Sequence, residues 1–142
     1  MILGGGYGKS VDWWTLGILL YEMLAGFVPF TDSDPVKVYQ KILRDRIKFP
    51  KTFDPNAKSL VKHLLDRDLS QRYGCTKGGV EEIKKHRLFH GMEWSLVSTA
   101  KIKAVYIPKT SNNGDCENFR KYPEPDLTTQ PINNLDDPFE KW

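Results

Sequence analysis

A carboxylate at position 22 stands near the end of a run, Asp12 to Gly26, in which only Asp12, Thr15 and Glu22 carry strongly polar side chains. On an apolar, buried helix such a carboxylate must be ion-paired or open to a cleft, because an unpaired buried charge is costly. Asp12 heads the run, where a short acceptor side chain caps the free N–H groups of a first turn. Gly4-Gly5-Gly6-Tyr7-Gly8-Lys9-Ser10 has the look of a phosphate loop. The Walker pattern, however, wants glycine where Leu3 stands. It reads as a flexible lead into the run. His63, His86 and His90 show no ligand or triad spacing. Cys75 and Cys116 show no C-x-x-C or Cys/His metal spacing. The histidines and cysteines therefore offer no triad and no metal site, and both thiols are expected free in a reducing compartment.

The element that positions Glu22 is a helix apolar nearly all round, with Asp12 as N-cap, Gly26 as the C′ glycine and Pro29 as a stop. It is too short and too interrupted for a bilayer, which needs about 20 apolar residues. It also lacks the basic flank and cleavage site of a signal peptide. It is expected to be the central helix of a mostly helical domain, wrapped on every side, with Leu19 and Met23 in the core.

Thr31 to Pro35 is a breaker and cap cluster. A second helix follows from Pro35 to about Arg44, with Val36, Tyr39, Ile42 and Leu43 at helical spacing. Ile47 to Pro50 is a short extended piece. Leu60, Val61, Leu64 and Leu65 mark a third helix from Asn56 to about Asp66, capped by Asp54 or Asn56. Val80 to about His86 makes a fourth, with Val80 and Ile83 inward, before the closing apolar residues Leu88, Phe89, Met92 and Trp94. From Ser98 the chain turns polar and is punctuated by prolines. Such a segment builds no core of its own and drapes over something else or stays disordered.

The chain has 142 residues and a net charge of +3, from 21 basic and 18 acidic side chains. That is enough length for one domain with a real core, and there is no basic block of the kind nucleic acid selects. No targeting or lipidation signal is present.

The residues carry a family resemblance. Asp12-Trp13-Trp14, Leu16-Gly17, Tyr21-Glu22-Met23 and Gly26-Phe27-x-Pro29-Phe30 resemble the F helix of the protein kinase large lobe. Asp68-x-x-x-Arg72-x-Gly74 and Ile83-Lys84-x-His86-x-x-Phe89 resemble later stretches of the same lobe, in the same order. The tail is similar to that of AGC-group kinases, in particular the cAMP-dependent type and its X-type relatives.

The resemblance implies a mainly α fold, with the F to I helices of a kinase large lobe over 1–90 and an irregular AGC tail over 91–142. It implies that Asp12 supports the catalytic loop and that Glu22 receives an arginine lying before the phosphoacceptor, which a carboxylate pairs through two parallel hydrogen bonds. Arg72 would anchor the activation segment through the glutamate of the A-P-E motif. Tyr39 would dock regulatory subunits. Phe119 and Tyr122 would form a tether near the nucleotide, and Phe139 and Trp142 a terminal hydrophobic motif. For a full-length parent it implies ATP and Mg²⁺ as cofactors and protein substrates with basic residues before a serine or threonine. It also implies regulatory subunits as partners, without nucleic acid or membrane, and a cytoplasmic or nuclear location.

No G-x-G-x-x-G, H-R-D or D-F-G occurs in the sequence. The chain is therefore expected to correspond to the back half of a kinase, to bind no ATP or Mg²⁺ alone and to be inactive alone. The rival reading is a non-catalytic module that docks regulatory subunits or substrates.

Overall fold

The computed structural model describes residues 6–123. Helices follow one another, and no strand occurs among the described residues. They are α1 (Ser10–Ala25), α2 (Pro35–Arg44), α3 (Pro55–Leu64), α4 (Val80–Lys84), a 3-10 turn (Arg87–Phe89) and α5 (Trp94–Ser98). The chain divides into two units, Met1–Lys101 and Ile102–Trp142. The helices all belong to the first. Residues 102–123 of the second are bends and turns without a helix.

The first helix begins earlier than its sequence suggests. The carbonyls of Gly8 and Lys9 accept from the N–H groups of Val11 and Asp12, both at 3.2 Å. These bonds start the helix at Ser10 and make Lys9, not Asp12, the N-cap. Asp12 falls within the first turn, where a carboxylate interacts favourably with the helix dipole. Gly26 ends the helix as expected. Its φ of +79° is left-handed, and its N–H donates to the Glu22 carbonyl at 2.8 Å.

The core forms where α1 crosses α3. Tyr21 packs with Phe53, Ala57, Val61 and Leu65, while Leu60, Leu64 and Ile83 make an adjoining cluster. Such burial supplies roughly 1.5–3 kcal/mol for each large apolar side chain. The Tyr21 hydroxyl, at the buried end of its ring, donates to the Lys48 carbonyl at 2.6 Å. That bond keeps the Ile47–Pro50 segment against the core.

The expectation that α1 is wrapped on every side does not hold. At about 100° per residue, Gly17 and Tyr21 lie on one line of the helix. Asp12, Thr15, Leu19, Glu22 and Met23 fall within about 100° of arc on the opposite side. The first line is buried and the second arc is exposed. Leu19 is 51% and Met23 65% accessible, so neither is a core residue in this chain. The cause is that, among the described residues, α3 is the helix packed along α1, and one neighbour covers one face.

The other helices keep close to their sequence signals. Asp34 caps α2 by accepting from the Val36 N–H at 2.9 Å, and Asp54 caps α3 by accepting from Ala57 at 2.7 Å. Proline opens both helices. The third helix stops at Leu64, short of Asp66. In α4 only Ile83 is buried; Val80 stays out, because a five-residue helix makes little more than one turn and Ile83 is the residue that reaches Leu60 and Leu64. Met92 is likewise exposed, and closure falls to Leu88, Phe89 and Trp94.

Candidate binding site on the open face of the first helix

The chain reverses after Gly26, and Val28, Pro29 and Phe30 fold back beside α1. The Phe30 ring stacks on Trp14 at 6.3 Å between centroids. Together with Ile42 from α2, these residues and the open face of α1 enclose a groove of about 330 Å³. Its other lining residues are Trp14, Thr15, Ile18, Leu19 and Glu22. Glu22 is the one charged residue among them. It is exposed, and among the described residues it has no ion pair and no side-chain hydrogen bond. The structural ion pair that an apolar helix would demand of it is therefore absent, and its carboxylate opens onto the groove.

An apolar trough with one carboxylate at its edge suits a side chain with an aliphatic stem and a cationic head, which is the form of arginine or lysine. It does not suit a nucleotide. No Lys or Arg lines it, so nothing there offsets phosphate charge. Among the described residues no three His, Cys, Asp or Glu side chains are grouped to hold a metal ion. The residues lining this groove thus do not fit ATP with Mg²⁺.

Asp12 lies on the same face as Glu22, about 15 Å along the axis at 1.5 Å per residue. Arg72 approaches the first turn of that helix from the Asp66–Gly74 loop. It is 8% accessible, donates from Nε to the Asp66 carbonyl at 2.7 Å and from Nη1 to the Ser10 carbonyl at 3.0 Å, and lies 5.0 Å from the centre of the Trp14 ring. Burial pulls its pKa below the usual guanidinium value, with Cys75 and Asp66 opposing that shift. Gly74, two residues on, holds φ at +86° with its backbone against Trp13; a Cβ there would meet the indole at 2.5 Å. The Arg72-x-Gly74 stretch thus clamps both tryptophans of α1, one by its cation and the other by its lack of a side chain.

Tyr39 is half exposed on α2 and forms, with Val36 and Leu43, an uncovered apolar stripe at helical spacing. Phe119 and Tyr122 are exposed in the second unit. Just before Phe119, Asp115 closes a turn by accepting from the N–H and hydroxyl of Ser111 and from the Glu117 N–H. Phe139 and Trp142 lie outside the described residues. Two of the three histidines have structural partners: His63 stacks on Tyr73 at 4.2 Å, and His86 bonds Ser59; His90 is exposed. Neither cysteine is in a disulfide.

The open face thus brings together Asp12, Glu22, Leu19 and Met23. It leaves Tyr39 on another helix and Phe119 and Tyr122 in the other unit. Thr15 and Ile42 also line the groove, a role that their sequence signals do not assign. The i, i+7 relation of Thr15 to Glu22 contains the first; the second depends on where α2 packs.

The order of helices, with no strand among the described residues, is that of the C-terminal part of a kinase large lobe. The protein kinase domain family model matches residues 1–89, and the chain belongs to the protein kinase family. It is 48% identical over 131 residues to the cAMP-dependent protein kinase catalytic subunit PRKX of Mus musculus, covering 92% of this chain and 37% of that protein. The Homo sapiens PRKX is 45% identical over 129 residues, covering 91% and 36%. The cAMP-dependent protein kinase catalytic subunit of Dictyostelium discoideum is 43% identical over 140 residues, covering 98% and 22%. The chain therefore spans about a third or less of the length of these curated relatives. Its similarity within the family is to the cAMP-dependent type, and kinases of this family use ATP and Mg²⁺.

Proposed function

We propose that the chain supplies the substrate-arginine and regulatory-docking surfaces of a cAMP-dependent-type serine/threonine kinase. In the complete enzyme the ATP γ-phosphate passes to a protein hydroxyl, by positioning and electrostatic stabilisation from residues this sequence does not contain. Glu22 receives the guanidinium of a substrate arginine, Asp12 supports the catalytic loop and Arg72 anchors the activation segment. Phe119 and Tyr122 serve as the tail's tether. The 142 residues on their own bind protein but transfer no phosphate. The observation that carries this reading is the unpaired Glu22 carboxylate at the edge of an apolar groove.

The test is fluorescence anisotropy with a short peptide containing arginine before serine. Glu22→Gln keeps the shape and removes the charge, so affinity is expected to fall on the order of tenfold, and less in high salt. Equal affinity for the arginine peptide and its norleucine analogue would refute the assignment.

A second reading, a docking module without catalysis, is favoured by the uncovered Val36, Tyr39 and Leu43 stripe. Capture of a cAMP-dependent kinase regulatory subunit by this chain, measurably weakened in Tyr39→Ala, is its expected outcome.

A further inference from the structure

The second helix poses a stability problem. It has ten residues and buries none of them. A helix that short is marginal by itself in water, so its order has to be imported. At its start Asp34 caps the first turn, and Lys41 reaches back to the Thr31 carbonyl at 2.6 Å and the Asp32 carboxylate at 2.8 Å. These bonds tie the helix only to the turn just before it. Its last carbonyls, like those of any helix, lack partners within the helix.

Arg67 stands directly beyond α3, where the core ends. Its Nε donates to the Ile42 carbonyl at 2.7 Å, and its Nη2 donates to the Asp45 carbonyl, with the Lys41 carbonyl at 3.5 Å. Among the described residues these are the long-range hydrogen bonds that reach α2. They join residues 22 to 26 positions apart in sequence. A planar fork can bridge diverging carbonyls at a helix C-terminus, and its positive charge complements the negative end of the helix dipole.

We infer that Arg67 is a positioning residue for partner docking: it latches the C-terminus of α2 to the α1–α3 core and thereby holds the Val36, Tyr39 and Leu43 face in place. It touches no partner itself. The docking part of this inference rests on the reading of Tyr39 given above, whereas the latch does not. Ile42, whose carbonyl the latch holds, also lines the groove beside Glu22, so the same contact steadies one wall of that groove.

Hydrogen exchange of the 142-residue chain tests the latch directly. Arg67→Ala is expected to speed exchange across 36–45 on the order of tenfold, as loss of a charge-assisted hydrogen bond would, and to leave 57–65 in α3 unchanged. Arg67→Lys, which keeps the charge but not the fork, is expected to fall between the two. Unchanged exchange in 36–45, or equal acceleration in every helix, would overturn the latch. Regulatory-subunit affinity tests the rest. Arg67→Ala is expected to weaken binding several-fold in the wild-type background and to add nothing on top of Tyr39→Ala. Full additivity would overturn the claim that Arg67 acts through the α2 face. Should the subunit not bind the wild-type chain, the Tyr39 docking reading fails and the exchange result still decides the latch.

Discussion

Replacing Gly74 by alanine should be among the most damaging small changes in this chain, for two separable reasons. The first is conformational. At φ +86° an L-residue pays about 1–2 kcal/mol for the left-handed region. The second is steric. The new Cβ would stand 2.5 Å from Trp13 Cδ2 and Cε2 and 2.6 Å from Cδ1. The contacted atoms belong to a rigid indole, so relief requires moving the ring or the loop, and overpacking of this kind costs about 1–3 kcal/mol. The sum is about 2–5 kcal/mol. At roughly 3–4 °C per kcal/mol for a chain of this size, the melting midpoint should drop on the order of 10 °C. Gly26 supplies the control. Its φ is +79°, but a Cβ there meets nothing within 4 Å, so Gly26→Ala carries the conformational cost alone. Urea unfolding followed by tryptophan fluorescence reads both variants, since Trp13 and Trp14 stand on α1. If Gly74→Ala costs no more than Gly26→Ala, the tryptophan clamp is not what the glycine serves.

Two further outcomes follow from the same region. Arg72→Lys should lose about 1.5–3 kcal/mol of stability, because an ammonium cannot hold the Asp66 and Ser10 carbonyls in the same fork while lying against Trp14; an unchanged urea midpoint would contradict this. His86 should make stability pH-dependent. Its Nδ1 accepts from the Leu88 N–H at 3.2 Å, and burial, followed by His63 and Arg87, holds its pKa below the ordinary 6.5. The unfolded chain therefore takes up the proton first. The stabilisation is complete above about pH 6.5 and is lost as pH falls from there through the lower folded value. The urea midpoint should decline over that window, and His86→Gln should flatten the decline. An identical slope in the variant would remove His86 as the cause.

Several features were legible in the residues themselves because their physics is local. Asp34 and Asp54 cap the helices they precede, proline opens both, and Gly26 closes α1, since capping and φ preferences depend on a few neighbours in sequence. The motif spacing was equally legible and points to the same family as the comparisons. The open face of α1 was half legible. Periodicity puts Asp12, Thr15, Leu19, Glu22 and Met23 on one side, but the near-continuous apolar run argued for burial all round. Hydrophobicity says that a side chain prefers a neighbour, not that this chain provides one, and among the described residues α3 is the helix packed along α1.

What needed the tertiary structure was every relation between residues distant in sequence. One local relation was missed as well: α1 starts ahead of Asp12 because the Gly8 and Lys9 carbonyls accept from the N–H groups of Val11 and Asp12. Gly74 reads as an ordinary turn glycine until Trp13 is found against it. Arg67 lies in the run Asp66-Arg67-Asp68 without a distinguishing pattern, and its partners are backbone carbonyls, which every residue has and no sequence marks. Local signals specified the helices and their ends. Which faces meet, which stay open and which arginine finds a helix terminus were decided when α3 closed on α1, because burial and long-range hydrogen bonds exist only once the chain is folded.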